Sequence, residues 1–158
     1  MWSTPAAGLP YEPLFLEASA AYGLPDGLLS RVAYAESRYN PDAYNSSSGA
    51  SGIMQIIPRF HPSVDPWNPA EAIPYGAAYL RENYNRFGTW ELALAAYNAG
   101  PGNVERYGGV PPFPETMAYV ASILEDVSVA APAAPAQAGI AAAGAVLLLL
   151  LMRGKHGR

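Results

Sequence analysis

The chain contains no cysteine in 158 residues, which excludes disulfides and a thiolate nucleophile. Histidine is almost as scarce. His61 and His156 lie far apart and have no partner at ligand spacing, so no metal site is expected, and no cofactor. Charge is sparse too, at 14 % of residues with a net −4. The cations are eight Arg and a single Lys, with no basic stripe before the last six residues, so nucleic acid is not an expected partner. The N-terminus, M-W-S-T-P-A-A-G-L-P, offers neither a basic n-region nor a long apolar run, and a secretory signal peptide is not expected. Strand signals are nearly absent.

What the chain does have is aromatic surface and helical periodicity. Eleven Tyr and three Trp supply flat apolar faces with polar tips, suited to cores and to sugar rings alike. Residues 1–10 read as an N-terminal extension, and 11–128 as one small, mainly α-helical domain large enough for a single core. Leu14, Phe15, Ala18 and Tyr22 follow helical spacing, and Gly23 suits the position after a helix end. Pro25-Asp26 opens a second helix to about Ser37, with Asn40-Pro41 as its stop. A polar Ser/Gly loop follows over 45–52. Ile53 to Ile57 is a short apolar run that fits a strand or a helical turn equally well. Pro69 suits the first turn of a helix reaching Phe87 and ended by Gly88, and Thr89 caps the next. A short helix through Val104–Tyr107 and a last one from Glu115 to about Val127 complete the domain.

Composition changes after Ser128. Residues 129–137 form an Ala/Pro linker, and 138–152 are apolar apart from small glycines. Fifteen such residues span about 22 Å as a helix, and a start near residue 131 gives about 33 Å, against a hydrocarbon core of about 30 Å. The basic tail 153–158, R-G-K-H-G-R, flanks it. The expectation is a C-terminal transmembrane helix that anchors the domain to a membrane.

Chemistry concentrates between Leu28 and Pro58. Glu36 borders the apolar stripe of its helix, sits in the last turn, and has no Lys or Arg four residues on. Desolvation and the negative end of the helix both disfavour its charged form, moving its pKa toward that of a general acid. Arg31 and Arg38 are near enough to oppose this. An ordinary glycosidase needs a second carboxylate. Asp42 and Asp65 are the nearest in sequence, and each has a simpler role in a turn.

Five motifs carry a resemblance over about residues 20–125. They are A-E-S at Ala35–Ser37, N-P-x-A at Asn40–Ala43, G-A-S-G-I-M-Q-I-I-P at Gly49–Pro58, A-A-Y-N-A-G-P-G-N-V at Ala95–Val104 and P-E-T-M-A-Y-V at Pro114–Val120. In this order and spacing the chain resembles the lytic transglycosylases of the soluble-lytic-transglycosylase type, which implies a lysozyme-like fold. The resemblance implies that Glu36 protonates the glycosidic oxygen between N-acetylmuramic acid and N-acetylglucosamine of peptidoglycan strands. The same carboxylate then deprotonates the muramoyl 6-hydroxyl, giving a 1,6-anhydro product with help from the substrate N-acetyl group. It further implies substrate-binding roles for Ser37, Met54, Gln55, Tyr97, Asn98 and Tyr119. For Ser37 the plain alternative is a helix-end hydroxyl.

Two other readings stand beside this one: a hydrolytic lysozyme on the same fold, and a non-catalytic glycan-binding membrane protein. Positive charge after the apolar tail favours a C-terminus inside and a domain outside, with no signal peptide to export it. A phage protein carried in a virion membrane, with virion proteins as partners, or one acting during entry or lysis, reconciles the two. A bacterial cell-envelope enzyme is the alternative location.

Overall fold

The computed structural model describes residues 2–127. The expected linker, transmembrane helix and basic tail lie outside the described residues. Within them, no helix is long and apolar enough to cross a membrane. A 3-10 helix, Ala6–Tyr11, leads into α1 (Glu12–Tyr22) and α2 (Leu28–Ser37). A long irregular segment then reaches α3 (Pro69–Phe87), α4 (Trp90–Ala99), α5 (Pro101–Tyr107) and α6 (Pro114–Asp126). The domain is mainly helical, as expected. Strand pairing among the described residues is limited to the isolated antiparallel bridges Tyr44–Ser51 and Ser51–Ile56. The apolar run at Ile53 resolves into turns that end on the second of these bridges.

Helix α4 forms the centre because the middle of its sequence is small and apolar. Ala93, Leu94, Ala95 and Ala96 are fully buried, and α3, α5 and α6 pack around it. The methyl side chains let neighbouring backbones approach closely. Its N-terminus is capped as its sequence predicts, Thr89 accepting from the Leu92 amide at 3.2 Å. Asn68 does the same for α3, with Pro69 in the first turn and a left-handed Gly88 at the end.

Helix α2 begins later than Pro25-Asp26 and ends, as expected, at Ser37. It starts at Leu28 behind a left-handed Gly27, and it stops ahead of Asn40-Pro41. Arg38 and Tyr39 both adopt positive φ, 55° and 65°, a conformation that costs L-residues about 1–2 kcal/mol each. The burial of Tyr39 offsets that cost. Its ring is 3 % exposed, lies 5.8 Å from Phe15 and 5.5 Å from Tyr34, and shares a 3.0 Å hydrogen bond with Ser30. Residues 2–10, read as an extension, join this cluster: Trp2 Nε1 donates to Ser30 Oγ at 3.3 Å, and Thr4 Oγ1 lies 2.8 Å from the same oxygen.

The irregular segment is held by close backbone approach. Gly52, at φ 73°, leaves no room for a side chain, since a Cβ would fall 1.7 Å from the Pro66 carbonyl oxygen. Gly49 has a similar φ of 78° but open space around it. Gly49→Ala should therefore lower stability by about 1 kcal/mol from backbone strain alone. Gly52→Ala adds the clash and should cost about 3–5 kcal/mol. Urea unfolding midpoints of the two variants measure the difference.

Candidate active site

The end of α2, the 45–57 loop, the end of α4 and the first turns of α6 enclose a cleft of about 770 Å³. Gln55, Ile57, Tyr97 and Asn98 also line a second cavity of about 230 Å³, which continues the groove past His61, Tyr75 and Tyr79. His61 Nδ1 and the Tyr75 hydroxyl are 2.8 Å apart, with the Tyr79 ring edge-on to the imidazole. Burial pushes the His61 pKa down and so favours the neutral ring.

Glu36 sits on the cleft wall in the last turn of α2. Burial raises its pKa from 4.5 to about 7. The hydrogen bond from Tyr119 opposes the rise and the negative charge of Glu115 adds to it. The Tyr119 hydroxyl donates to Glu36 Oε1 at 2.7 Å, so the carboxyl proton belongs on Oε2. The two arginines are occupied elsewhere. Arg31 pairs with Asp126 at 2.7 Å, and Arg38 donates to the Tyr34 hydroxyl at 2.8 Å on the exposed side. Burial holds the Tyr97 and Tyr119 phenols well above their ordinary range, with the charge of Glu36 next in effect. Both keep their protons near neutrality.

Of the residues singled out from the sequence, Glu36, Gln55, Tyr97, Asn98 and Tyr119 meet in this cleft. Tyr97 donates to the Met54 carbonyl at 3.0 Å, fixing the loop against α4. Asn98 accepts from Thr116 Oγ1 at 2.7 Å, which leaves its amide nitrogen as the end that can donate. A glutamine amide can both donate and accept, but the Gln55 nitrogen is already engaged. Its Nε2 is turned to the Ala43 and Gly52 carbonyls, at 3.2 and 3.0 Å, so only its oxygen is available. Met54 and Ser37 do not line the cleft. The Met54 side chain is fully buried and fills the space over Gly76, where a Cβ would come within 2.6 Å of its Cε. Ser37 Oγ donates to the Ile53 carbonyl at 2.8 Å, pinning the end of α2 to the loop. Both support the wall from behind.

Sequence reasoning missed Glu115. Asp42 and Asp65 do not line the cleft, whereas Glu115 does, from α6 one turn before Tyr119. The spacing Glu115-x-x-x-Tyr119 carried the signal, since residues four apart share a helix face. Among the described residues no cluster of three or more His, Cys, Asp or Glu could hold a metal ion.

A raised carboxyl pKa makes folding disfavour ionisation. Between pH 4.5 and about 7 the folded state binds more protons than the unfolded state, so stability falls as pH rises through that window. The loss is at most about 3 kcal/mol, and less in proportion to the water the cleft admits. Glu36→Gln keeps an acceptor for Tyr119 and removes the charge. It should raise the melting temperature at pH 8 and change it little at pH 4, as thermal unfolding at the two pH values would show.

The family described as Transglycosylase SLT domain matches residues 13–119. The transglycosylase of Enterobacteria phage PRD1 is 34 % identical over 131 residues, covering 78 % of this chain and 47 % of the phage protein. The soluble lytic murein transglycosylase of Escherichia coli is 32 % identical over 143 residues, covering 73 % of this chain and 22 % of its own. The chain thus spans about half the length of the phage relative and less than a quarter of the bacterial one. Among solved structures, the 70 kDa soluble lytic transglycosylase of Escherichia coli superposes with a TM-score of 0.63 at 30 % identity, over 72 % of this chain and 23 % of that one. A lytic transglycosylase from Pseudomonas aeruginosa, solved as an inactive mutant, gives 0.66 at 27 % identity, over 78 % of this chain and 24 % of that one. With its motifs, its helical architecture and its cleft in agreement, this chain belongs to the transglycosylase SLT family.

Proposed function

We propose that the chain is a peptidoglycan lytic transglycosylase in which Glu36 serves as acid and then as base. The observation that carries the proposal is a carboxyl group on the wall of an open cleft, with one oxygen held by Tyr119 and its pKa raised by burial to about 7. Glu36 gives its proton to the glycosidic oxygen between N-acetylmuramic acid and N-acetylglucosamine, and the C1–O bond breaks with its electrons going to the leaving sugar. The carboxylate then accepts the proton of the muramoyl 6-hydroxyl as that oxygen bonds to C1. The anhydro ring closes and Glu36 is neutral again. Tyr119 stabilises the intervening carboxylate. Gln55 and Asn98 offer an acceptor and a donor to the sugar, and Tyr97 shapes the wall between the two cavities.

A second reading has its own support. Glu115 is a second carboxylate on the cleft wall, and a pair of carboxylates is what hydrolysis by a lysozyme requires. The location proposed for the protein is a phage virion membrane, reached through residues 138–152, with a bacterial envelope as the alternative. Similarity to a phage transglycosylase supports the first, and similarity to proteins named membrane-bound lytic murein transglycosylases fits the second.

Digestion of purified peptidoglycan followed by mass spectrometry should give anhydromuropeptides. Products carrying an added water would favour the lysozyme reading. Glu36→Gln should lower the rate about 100- to 10,000-fold, and the wild-type rate should fall as pH rises through about 7, because the acid form is then lost. Activity that persists undiminished at pH 9 would exclude Glu36 as the proton donor.

A further inference from the structure

We propose that Arg31 and Asp126 are positioning residues that set the reach of the Tyr119 hydroxyl to Glu36. The inference rests on the reading of Glu36 and Tyr119 given above. Those two side chains come from different helices, α2 and α6, whose register must hold for a 2.7 Å bond to form between them. Arg31 lies on α2 five residues before Glu36, and its guanidinium grips α6 twice. Nε donates to Asp126 Oδ2 at 2.7 Å and Nη2 to the Ser122 carbonyl at 3.2 Å. Ser122 in turn donates through Oγ to the Tyr119 carbonyl at 2.9 Å, so the grip continues to the residue that carries the phenol.

The arginine of the clamp is enclosed, whereas the Asp126 side chain is 41 % exposed. Arg31 is 8 % exposed, and its Cζ lies 5.0 Å from the Trp2 ring and 5.6 Å from the Tyr34 ring. A planar guanidinium so held has little freedom, and the geometry it imposes passes to both helices. The other ion pair among the described residues, Arg86–Glu105, is half-exposed on both sides and lines neither cavity of the groove. Arg31 itself lines the cleft. Pairing with Asp126 therefore has a second effect: it neutralises a buried cation on the wall of the same cleft. The charged and titratable groups around Glu36 are Tyr119 and Glu115 on α6, Tyr97 on α4, and Arg31 and Arg38 at the two sides of its own turn. Arg31 is the buried cation among them.

The test compares Asp126→Ala, the milder Asp126→Asn, Arg31→Lys, Tyr119→Phe and the double variant Asp126→Ala/Tyr119→Phe, all assayed on purified peptidoglycan below their melting temperatures. Arg86→Ala serves as control. Asp126→Ala should lower kcat about tenfold with KM within about twofold, the signature of a displaced catalytic contact. The double variant should be no slower than Tyr119→Phe, because both changes remove one contact. Arg31→Lys, which keeps the charge and loses the fork, should fall between. If Asp126→Ala is unstable at the assay temperature, Asp126→Asn and Arg31→Lys read the same coupling. Unchanged kcat in the folded Asp126 variants, or losses that multiply with Tyr119→Phe, would overturn the clamp while leaving an inactive Glu36→Gln in place. An active Glu36→Gln would overturn the reading beneath it.

Discussion

The burial of one tyrosine ring decides where this fold turns. Tyr39 sits 3 % exposed among Phe15, Tyr34 and Ser30, and to reach that place the chain leaves α2 through two left-handed residues. Had the helix run on to Asn40-Pro41, Glu36 would stand a full turn from the end, with its neighbours on the same face. Ending at Ser37, the helix offers Glu36 to the loop that follows, and Ser37 is drawn against Ile53. The position of the proposed acid is thus a by-product of aromatic packing on the far side of the same helix.

Desolvation then works on a carboxyl already placed. The wall opposite Glu36 is built from α4 and α6, and the alanines of α4 let α6 come near enough for a phenol to touch the carboxyl. Burial raises the pKa and the phenol restrains the rise. That balance suits a group that must hold a proton in one step and retrieve one in the next. A stronger donor set would keep Glu36 ionised, and a drier pocket without a donor would leave it unable to release its proton.

Much of this was legible in the sequence, and the reasons are local. Helix limits written in caps and breakers, such as Pro69, Gly88 and Thr89, need no tertiary information. The cleft was found from motifs, and the residues that meet there come from four of the five. What stayed hidden depends on direction in irregular backbone or on distant partners. Met54 and Gln55 are adjacent in a run with no period, so nothing local tells which faces the core. Tyr39 follows a polar residue at a helix end, and only the fold reveals that it goes inward. Arg31 and Asp126 are 95 residues apart, each an ordinary helical charge until α2 and α6 meet.

The orientation of Gln55 has a consequence for what moves along the groove. Both partners of its amide nitrogen are carbonyl oxygens, so the amide cannot flip without setting oxygen against oxygen. At the point where the two cavities join, the wall accordingly shows a fixed acceptor. A hydroxyl or amide hydrogen passing there is welcomed, and a carbonyl is turned away. A side chain that could have read either kind of group has been given a single polarity by the loop it staples.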